Sequence, residues 1–277
     1  MNIPYLIPRI IRHFLPDNIV NFLLKKQLII APGIETKAPQ EAFKQYIEKL
    51  DRHEFDLNHK KVMIFGYGGN LATACLLLGA GAGQVILCER KGFPQSSIDP
   101  QLAAQYSNYF KFRNNSIKPK PEYIQVFHQD LHQLAQSYAL PPIDLVLSFS
   151  VYEHLINPEM ITKELAWVIK IDGAQIHFID LRDHYFKYPF EMLCYSKRTW
   201  QTWLNPTSNL NRMRMVDFEK LFRTYFTKVE ISIDNRDETA FLANEGRIRD
   251  EFKTGDRKKD SVTRISVFAA KPISKKR

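Results

Sequence analysis

Val62-Met63-Ile64-Phe65-Gly66-Tyr67-Gly68-Gly69-Asn70 is the stretch that decides the fold. Four apolar residues in a row read as a buried strand, and the glycines after them read as a tight turn. Residues 70–79 are mostly small or apolar and read as a helix. Glycine lacks Cβ, so such a turn lets backbone approach a ligand closely. The helix behind it presents amide groups that have no partner within the helix. Gln84–Cys88 reads as the next strand and ends at Glu89. A carboxylate at the tip of a second strand can accept hydrogen bonds from both hydroxyls of a ribose. The turn, the helix and the strand-terminal acid together predict a nucleoside cofactor.

The same rhythm continues along the chain. Val62–Phe65, Gln84–Cys88, Tyr123–His128, Asp144–Phe149 and Gln175–Ile179 read as strands. Helical stretches near 70–79, 100–111, 131–137 and 158–169 separate them. Apolar strands alternating with helices predict a Rossmann-like α/β fold, a doubly wound and mostly parallel sheet. Lys228–Ile233 and Val262–Ala269 break the rhythm, with only a polar connection over 235–260. They are expected to close one sheet edge as an antiparallel pair. The strands total seven, with an antiparallel last strand.

The kind of cofactor follows from one position. A dinucleotide fingerprint, G-x-G-x-x-G, matches at Gly66 and Gly68 but has Leu71 in third place. The third glycine serves helix–strand packing around a pyrophosphate, so a nicotinamide oxidoreductase is the weaker reading. The chain resembles the class I S-adenosylmethionine (SAM) dependent methyltransferases, of the bacterial type 11/23 kind, over residues 60–270. The resemblance rests on the Gly66–Asn70 turn, on Glu89, and on Asp130 in Gln125–Leu131. It also rests on Ser148-Phe149-Ser150-Val151-Tyr152-Glu153-His154, which resembles an S-x-x-x-x-E-H turn, and on Lys170–Ala174 before strand five. In Lys170–Ala174, Asp172 and Ala174 replace a proline and a glycine of the family's turn. The resemblance implies that SAM is held by Gly66, Tyr67, Gly68, Glu89, Asp130, Leu131 and Ser148.

The acceptor is read from the loops after strands four and five, because ligands of α/β sheets gather at the carboxyl ends of the strands. No N/D-P-P-Y/F motif follows strand four, which removes the main support for methylation of a nucleic-acid base. Methylating a hydroxyl needs a base, most often histidine or a carboxylate. His154 lies after strand four, and Asp180, Asp183 and His184 lie after strand five. His184 is the candidate base, with Asp183 or Asp180 orienting it. The competing role for these residues is capping or holding a loop. Residues 181–215 form an aromatic-rich insertion on the acceptor side. Within it Tyr185, Arg212 and Arg214 are candidate substrate contacts, the arginines for phosphate or carboxylate. Asp180–His184 and Asn211–Phe218 together resemble bacterial enzymes that modify glycans or related metabolites. The expected acceptor is thus a small molecule, sugar or glycan. A nonenzymatic SAM- or RNA-binding protein is the third reading, although no RNA-binding signature is present.

The chain of 277 residues is read as an N-terminal helical extension, 1–50, and a cofactor-binding domain, 51–277. Its net charge of +9 suggests an anionic partner: a phosphorylated molecule, an anionic lipid surface or nucleic acid. The extension alternates apolar and basic residues and is read as two short helices split at Leu15-Pro16-Asp17. Such helices pack on a core or lie on a membrane surface. Residues 31–41, with Pro32, Gly33 and Pro39, read as a linker. Three scattered cysteines, Cys75, Cys88 and Cys194, fit a reducing, cytoplasmic setting. No histidine–cysteine spacing predicts a metal site.

Overall fold

The computed structural model describes residues 2–16, 19, 23, 34–89, 98–113, 116–137 and 140–273. Seven strands form one sheet in the order β5-β2-β1-β6-β7-β9-β8. They are β1 (Lys61–Phe65), β2 (Gln84–Cys88), β5 (Ile124–Phe127), β6 (Ile143–Phe149), β7 (Ile169–Asp180), β8 (Phe226–Arg236) and β9 (Val262–Pro272). The first five of these run parallel, and β9 runs antiparallel to both of its neighbours. The expected edge pair is therefore formed.

Both faces of the sheet are covered, and the side-chain alternation of β1 shows it. Val62 and Ile64 enter one core with α3 (Pro39–Arg52) and α4 (Ala72–Gly79), through Ala42, Tyr46, Leu50, Ala74 and Leu77. Met63 and Phe65 enter the opposite core with α6 (Leu131–Gln136), α7 (Pro158–Val168) and α8 (Met215–Tyr225). Strands buried on both faces must be apolar throughout, which is why VMIF and VILC carry no polar alternation. Residues 190–248 contribute a third core built from Phe190, Leu193, Trp200, Leu204, Phe241 and Ile248, against which Leu6 packs.

The order of strands reverses between β1 and β6. Their carboxyl ends therefore open into a crevice, the usual ligand position in such sheets.

Three segments differ from their sequence reading. The helix expected over 100–111 ends at Gln105 (α5, Pro100–Gln105), and a hairpin follows: β3 (Phe110–Arg113) and β4 (Ser116–Pro119). Phe112 pairs across it with Ile117, so a period of two competes with the helical pattern there. Part of the expected linker is ordered as α2 (Ile34–Lys37), and Pro39 already starts α3. Strand five is longer than expected, since β7 continues back through the Lys170–Gly173 turn to Ile169.

The first N-terminal helix is α1 (Ile3–His13). It buries Tyr5 and Arg9 and leaves Ile3, Ile7, Ile11 and Phe14 more than half exposed. All of the second expected helix but residues 19 and 23, residues 31–33, and residues 274–277 of the expected basic tail Lys271–Arg277 lie outside the described residues. Among the described residues no helix is long and apolar enough to cross a membrane.

Candidate cofactor and acceptor site

The glycine turn lies at the tip of β1, and the Gly66 amide donates to the Cys88 carbonyl at 2.8 Å. This bond holds the turn beside Glu89 at the tip of β2. Gly66, Gly68 and Gly69 all have left-handed backbone, with φ of 79°, 65° and 87°. Only glycine adopts that run of angles without strain. A Cβ at Gly66 would stand 2.4 Å from Cγ2 of Val151. Tyr67 is buried, and burial followed by the Glu89 charge pushes its phenol up to about 12. Asp130 caps α6 by accepting from the His132 amide, which leaves its second oxygen uncommitted by that bond. Leu131 is buried behind it. The Ser148 side chain lies inside the sheet, hydrogen-bonded to Nδ1 of His177 at 2.7 Å. The cradle fits a nucleoside cofactor: glycine backbone on one side, and carboxylates at the tips of β2 and β5.

A strap that sequence reasoning missed lies across the turn. The Thr36 hydroxyl donates to the Gly68 carbonyl at 3.1 Å, and Nδ2 of Asn70 donates to the Thr36 carbonyl at 3.1 Å. A Cβ at Gly68 would meet the Thr36 hydroxyl at 2.2 Å. The adjacent Glu35 is buried and accepts from the Tyr46 hydroxyl, while its second oxygen has no partner. Burial raises the Glu35 carboxyl to about 8; the Tyr46 bond opposes this and the Glu89 charge adds to it. The only sequence signal was the glutamate just before Thr36, within a stretch dominated by proline and glycine.

On the acceptor side, one turn of 3-10 helix carries Tyr152, Glu153 and His154 from the end of β6. The turn begins after Ser150, which holds a left-handed φ of 55°. The loop after β7 brings His184 to it. Nε2 of His184 lies 3.9 Å from Oε1 of Glu153, and the rings of His154 and His184 are 4.8 Å apart. Burial, then the neighbouring His154, lowers the His184 imidazole to about 3. Burial also lowers His154. Glu153 is 4% exposed, and burial followed by the Asp180 charge holds its carboxyl well above the usual range. Arg12 of α1 adds positive potential at both histidines, and among the described residues it makes no hydrogen bond or ion pair of its own.

The other candidates are held elsewhere. Asp183 is fully buried, paired with Arg9 and hydrogen-bonded by the Tyr5 hydroxyl and the Tyr185 amide. Asp180 is clasped by the guanidinium of Arg182. Tyr185 stacks on Tyr5, with ring centroids 6.2 Å apart. Arg212 donates to the carbonyls of Met192 and Tyr195. Arg214 donates to those of Leu181, Asp260 and Val262. Burial lowers both guanidiniums to about 10. The structure thus brings His154 and His184 together, separates Asp183 from them by its bond to α1, and buries both arginines.

No family model matches the chain, and no curated protein sequence matches it. Solved structures do. One is provisionally named a sarcosine dimethylglycine methyltransferase, from Galdieria sulphuraria. It is 10% identical over 84% of this chain and 87% of its own, with a TM-score of 0.52. Another is the 1,6-didemethyltoxoflavin-N1-methyltransferase of Burkholderia thailandensis, solved with S-adenosylhomocysteine. It is 11% identical over 83% of this chain and 78% of its own, with a TM-score of 0.47. The Galdieria likeness, with the strand order described above, makes the fold that of the SAM-dependent methyltransferases.

Proposed function

We propose that this chain is a SAM-dependent methyltransferase acting on a hydroxyl of a small molecule, sugar or glycan. One observation carries the reading: the Gly66–Cys88 bond places a left-handed glycine turn next to Glu89 on adjacent strand tips. The methyltransferase fold supports it. Gly66, Tyr67 and Gly68 would lie against the amino-acid and ribose portions of SAM. Glu89 would hold the ribose hydroxyls, and Asp130 and Leu131 would flank the adenine. Bound there, SAM supplies a methyl group on a positive sulfur.

The chain's own part is to place the acceptor where its hydroxyl can lose a proton. The chain's residues would hold the acceptor oxygen in line with that methyl group, whose transfer would break the carbon–sulfur bond. The Glu153–His154–His184 cluster, which follows Val151 beside Gly66, would receive the hydroxyl. Asp180 and Asp183 support that loop from behind. Arg12 supplies the positive potential that an anionic acceptor would meet. Calorimetric titration with SAM, S-adenosylhomocysteine and NAD tests the cofactor. Heat with SAM but not NAD is expected; heat with NAD alone would move the chain to the oxidoreductases.

The exposed stripe of Ile3, Ile7, Ile11 and Phe14 supports a second role for α1: peripheral contact of a cytoplasmic enzyme with an anionic membrane. Trp203 extends the stripe, its ring 6.0 Å from Phe14 and half exposed. Sedimentation with vesicles containing phosphatidylserine, lost in Ile7→Ser/Ile11→Ser, is the test. Equal sedimentation of that variant would end the reading.

A further inference from the structure

Three side chains at the acceptor end converge in a way that hydrogen bonding does not explain. One ligand atom from each of Glu153, His154 and His184 lies within 4.8 Å of the others. The strands that deliver them, β6 and β7, are parallel neighbours paired at Phe149 and Phe178, so their tips are side by side.

The tautomer of His154 is set by its surroundings. Nδ1 faces two carbonyls, 2.7 Å from that of Asn209 and 3.1 Å from that of Ser208. A carbonyl only accepts, so Nδ1 carries the proton and Nε2 keeps the lone pair. A ring nitrogen bonded to a carbonyl behind and a free nitrogen in front is the usual arrangement of a metal-binding histidine. Asn209 is itself fixed for this: it holds a left-handed φ of 57°, and its amide donates to the carbonyls of His154 and Leu155.

Glu153 supplies the second, independent observation. The residue is 4% exposed, and neither carboxylate oxygen makes a well-formed hydrogen bond, although the Ser150 hydroxyl and the Glu153 and Asp180 amides lie near it. A buried carboxylate whose donors are this weak requires a cation or a proton. The nearby cations are committed or distant: Arg9 pairs with Asp183, Arg182 with Asp180, and Arg12 reaches no ion pair among the described residues.

We propose that Glu153, His154 and His184 bind a divalent transition-metal ion, of the zinc or manganese class, at the acceptor end of the crevice. Two imidazole nitrogens and one carboxylate form a set for borderline divalent metals, and with three protein ligands a position stays open for water or acceptor. This deepens the methyltransferase reading and rests on it for its role. The acceptor hydroxyl coordinates through the open position, and the ion's charge makes it more acidic. Its proton passes to solvent, and the oxygen then takes the methyl group from sulfur. The imidazoles serve as ligands in this step. No local motif announces the site, because His154 and His184 lie 30 residues apart in a pattern that matches no metal signature.

The test is titration of the chelator-stripped full chain with cobalt(II) and zinc(II), followed by calorimetry and the cobalt visible spectrum. One ion per chain and a cobalt d–d band of low-symmetry coordination are expected. Glu153→Gln, His154→Ala and His184→Ala should each weaken zinc by about 10–100-fold or more, and Asn209→Ala by about 10-fold. X-ray absorption of the zinc-loaded wild type, expected to show two imidazoles, covers the case in which a variant does not fold. Absence of a cobalt band at millimolar metal, or zinc affinity unchanged in all the folded variants, would overturn the site. SAM titration of the same stripped protein separates the two readings. SAM binding without metal binding removes only the metal site; metal binding without SAM binding removes only the methyltransferase.

Discussion

The hydroxyl of Tyr5 donates a 2.5 Å hydrogen bond to Asp183, although 178 residues separate the two in sequence. Arg9, one turn further along α1, pairs with the other oxygen of the same fully buried carboxylate. A buried ion pair contributes little relative to an apolar replacement, yet breaking one partner is costly. Arg9→Ala should therefore destabilise the fold by about 3–5 kcal/mol in urea denaturation. Arg9→Met with Asp183→Leu should recover most of that loss. Equal losses in the single and double variants would show that α1 docks through its apolar contacts instead.

The glycine turn predicts a coupled pair. Gly68→Ala places a methyl group 2.2 Å from the Thr36 hydroxyl and forces a left-handed angle on alanine. Weaker S-adenosylhomocysteine binding and a lower melting temperature are expected. Adding Thr36→Ala removes the clash but leaves the backbone strain of about 1–2 kcal/mol, so recovery should be partial. Full recovery would place all the cost in the side-chain contact.

Glu35 makes stability depend on pH. Its carboxyl is raised by burial from 4.5 to about 8, so between these values the folded chain holds a proton that the unfolded chain has lost. Stability then falls as pH rises, by about 1.4 kcal/mol per unit for this group, and levels off above the folded value. Glu35→Gln keeps an acceptor for Tyr46 and removes the titration. The variant should match the wild type in acid and exceed it by a few kcal/mol near pH 8, read by denaturant unfolding at both ends of the range. A constant difference at all pH values would mean that Glu35 does not titrate in this window.

Glu89→Ala should weaken SAM by about 10–100-fold, the equivalent of one or two hydrogen bonds to a charged group. Melting temperature without cofactor should change little, because the residue ends a strand. Calorimetry of SAM and of adenosine separates ribose contacts from the rest of the cofactor. An equal affinity for adenosine in both proteins would remove the ribose assignment.

Arg214→Met should act on the fold rather than on the acceptor. Its guanidinium holds three carbonyls from residues 181, 260 and 262, and their loss leaves buried acceptors unpaired. A large fall in unfolding free energy is expected, and any residual folded enzyme should keep its KM. A raised KM with unchanged stability would restore the role of substrate clamp.

These contrasts show which features a sequence exposes. The turn at Gly66–Asn70 and the strands beside it were legible because their signals are local: four apolar residues buried on both faces, then glycines at positive φ. The hairpin at 110–119 was not, since two four-residue strands are too short to outweigh a preceding helical pattern. Arginine is read from sequence as a ligand for anions, but Arg212 and Arg214 face carbonyls supplied by distant segments. Asp183 was placed near His184 by sequence adjacency, whereas its chemistry is set by α1. Glu35 and Thr36 were hidden in an apparent linker because their partners, Tyr46 and Gly68, define them only after folding.

The clasp between α1 and Asp183 also imposes an order of events at the ribosome. Arg9 is made 174 residues before its partner. At about 5–20 residues per second, that is a delay of roughly 10–35 s. During this interval Tyr5, Leu6 and Arg9 belong to a nascent helix with nothing yet to dock on. A chaperone that shields short amphipathic segments would thus meet this helix long before residues 180–183 exist.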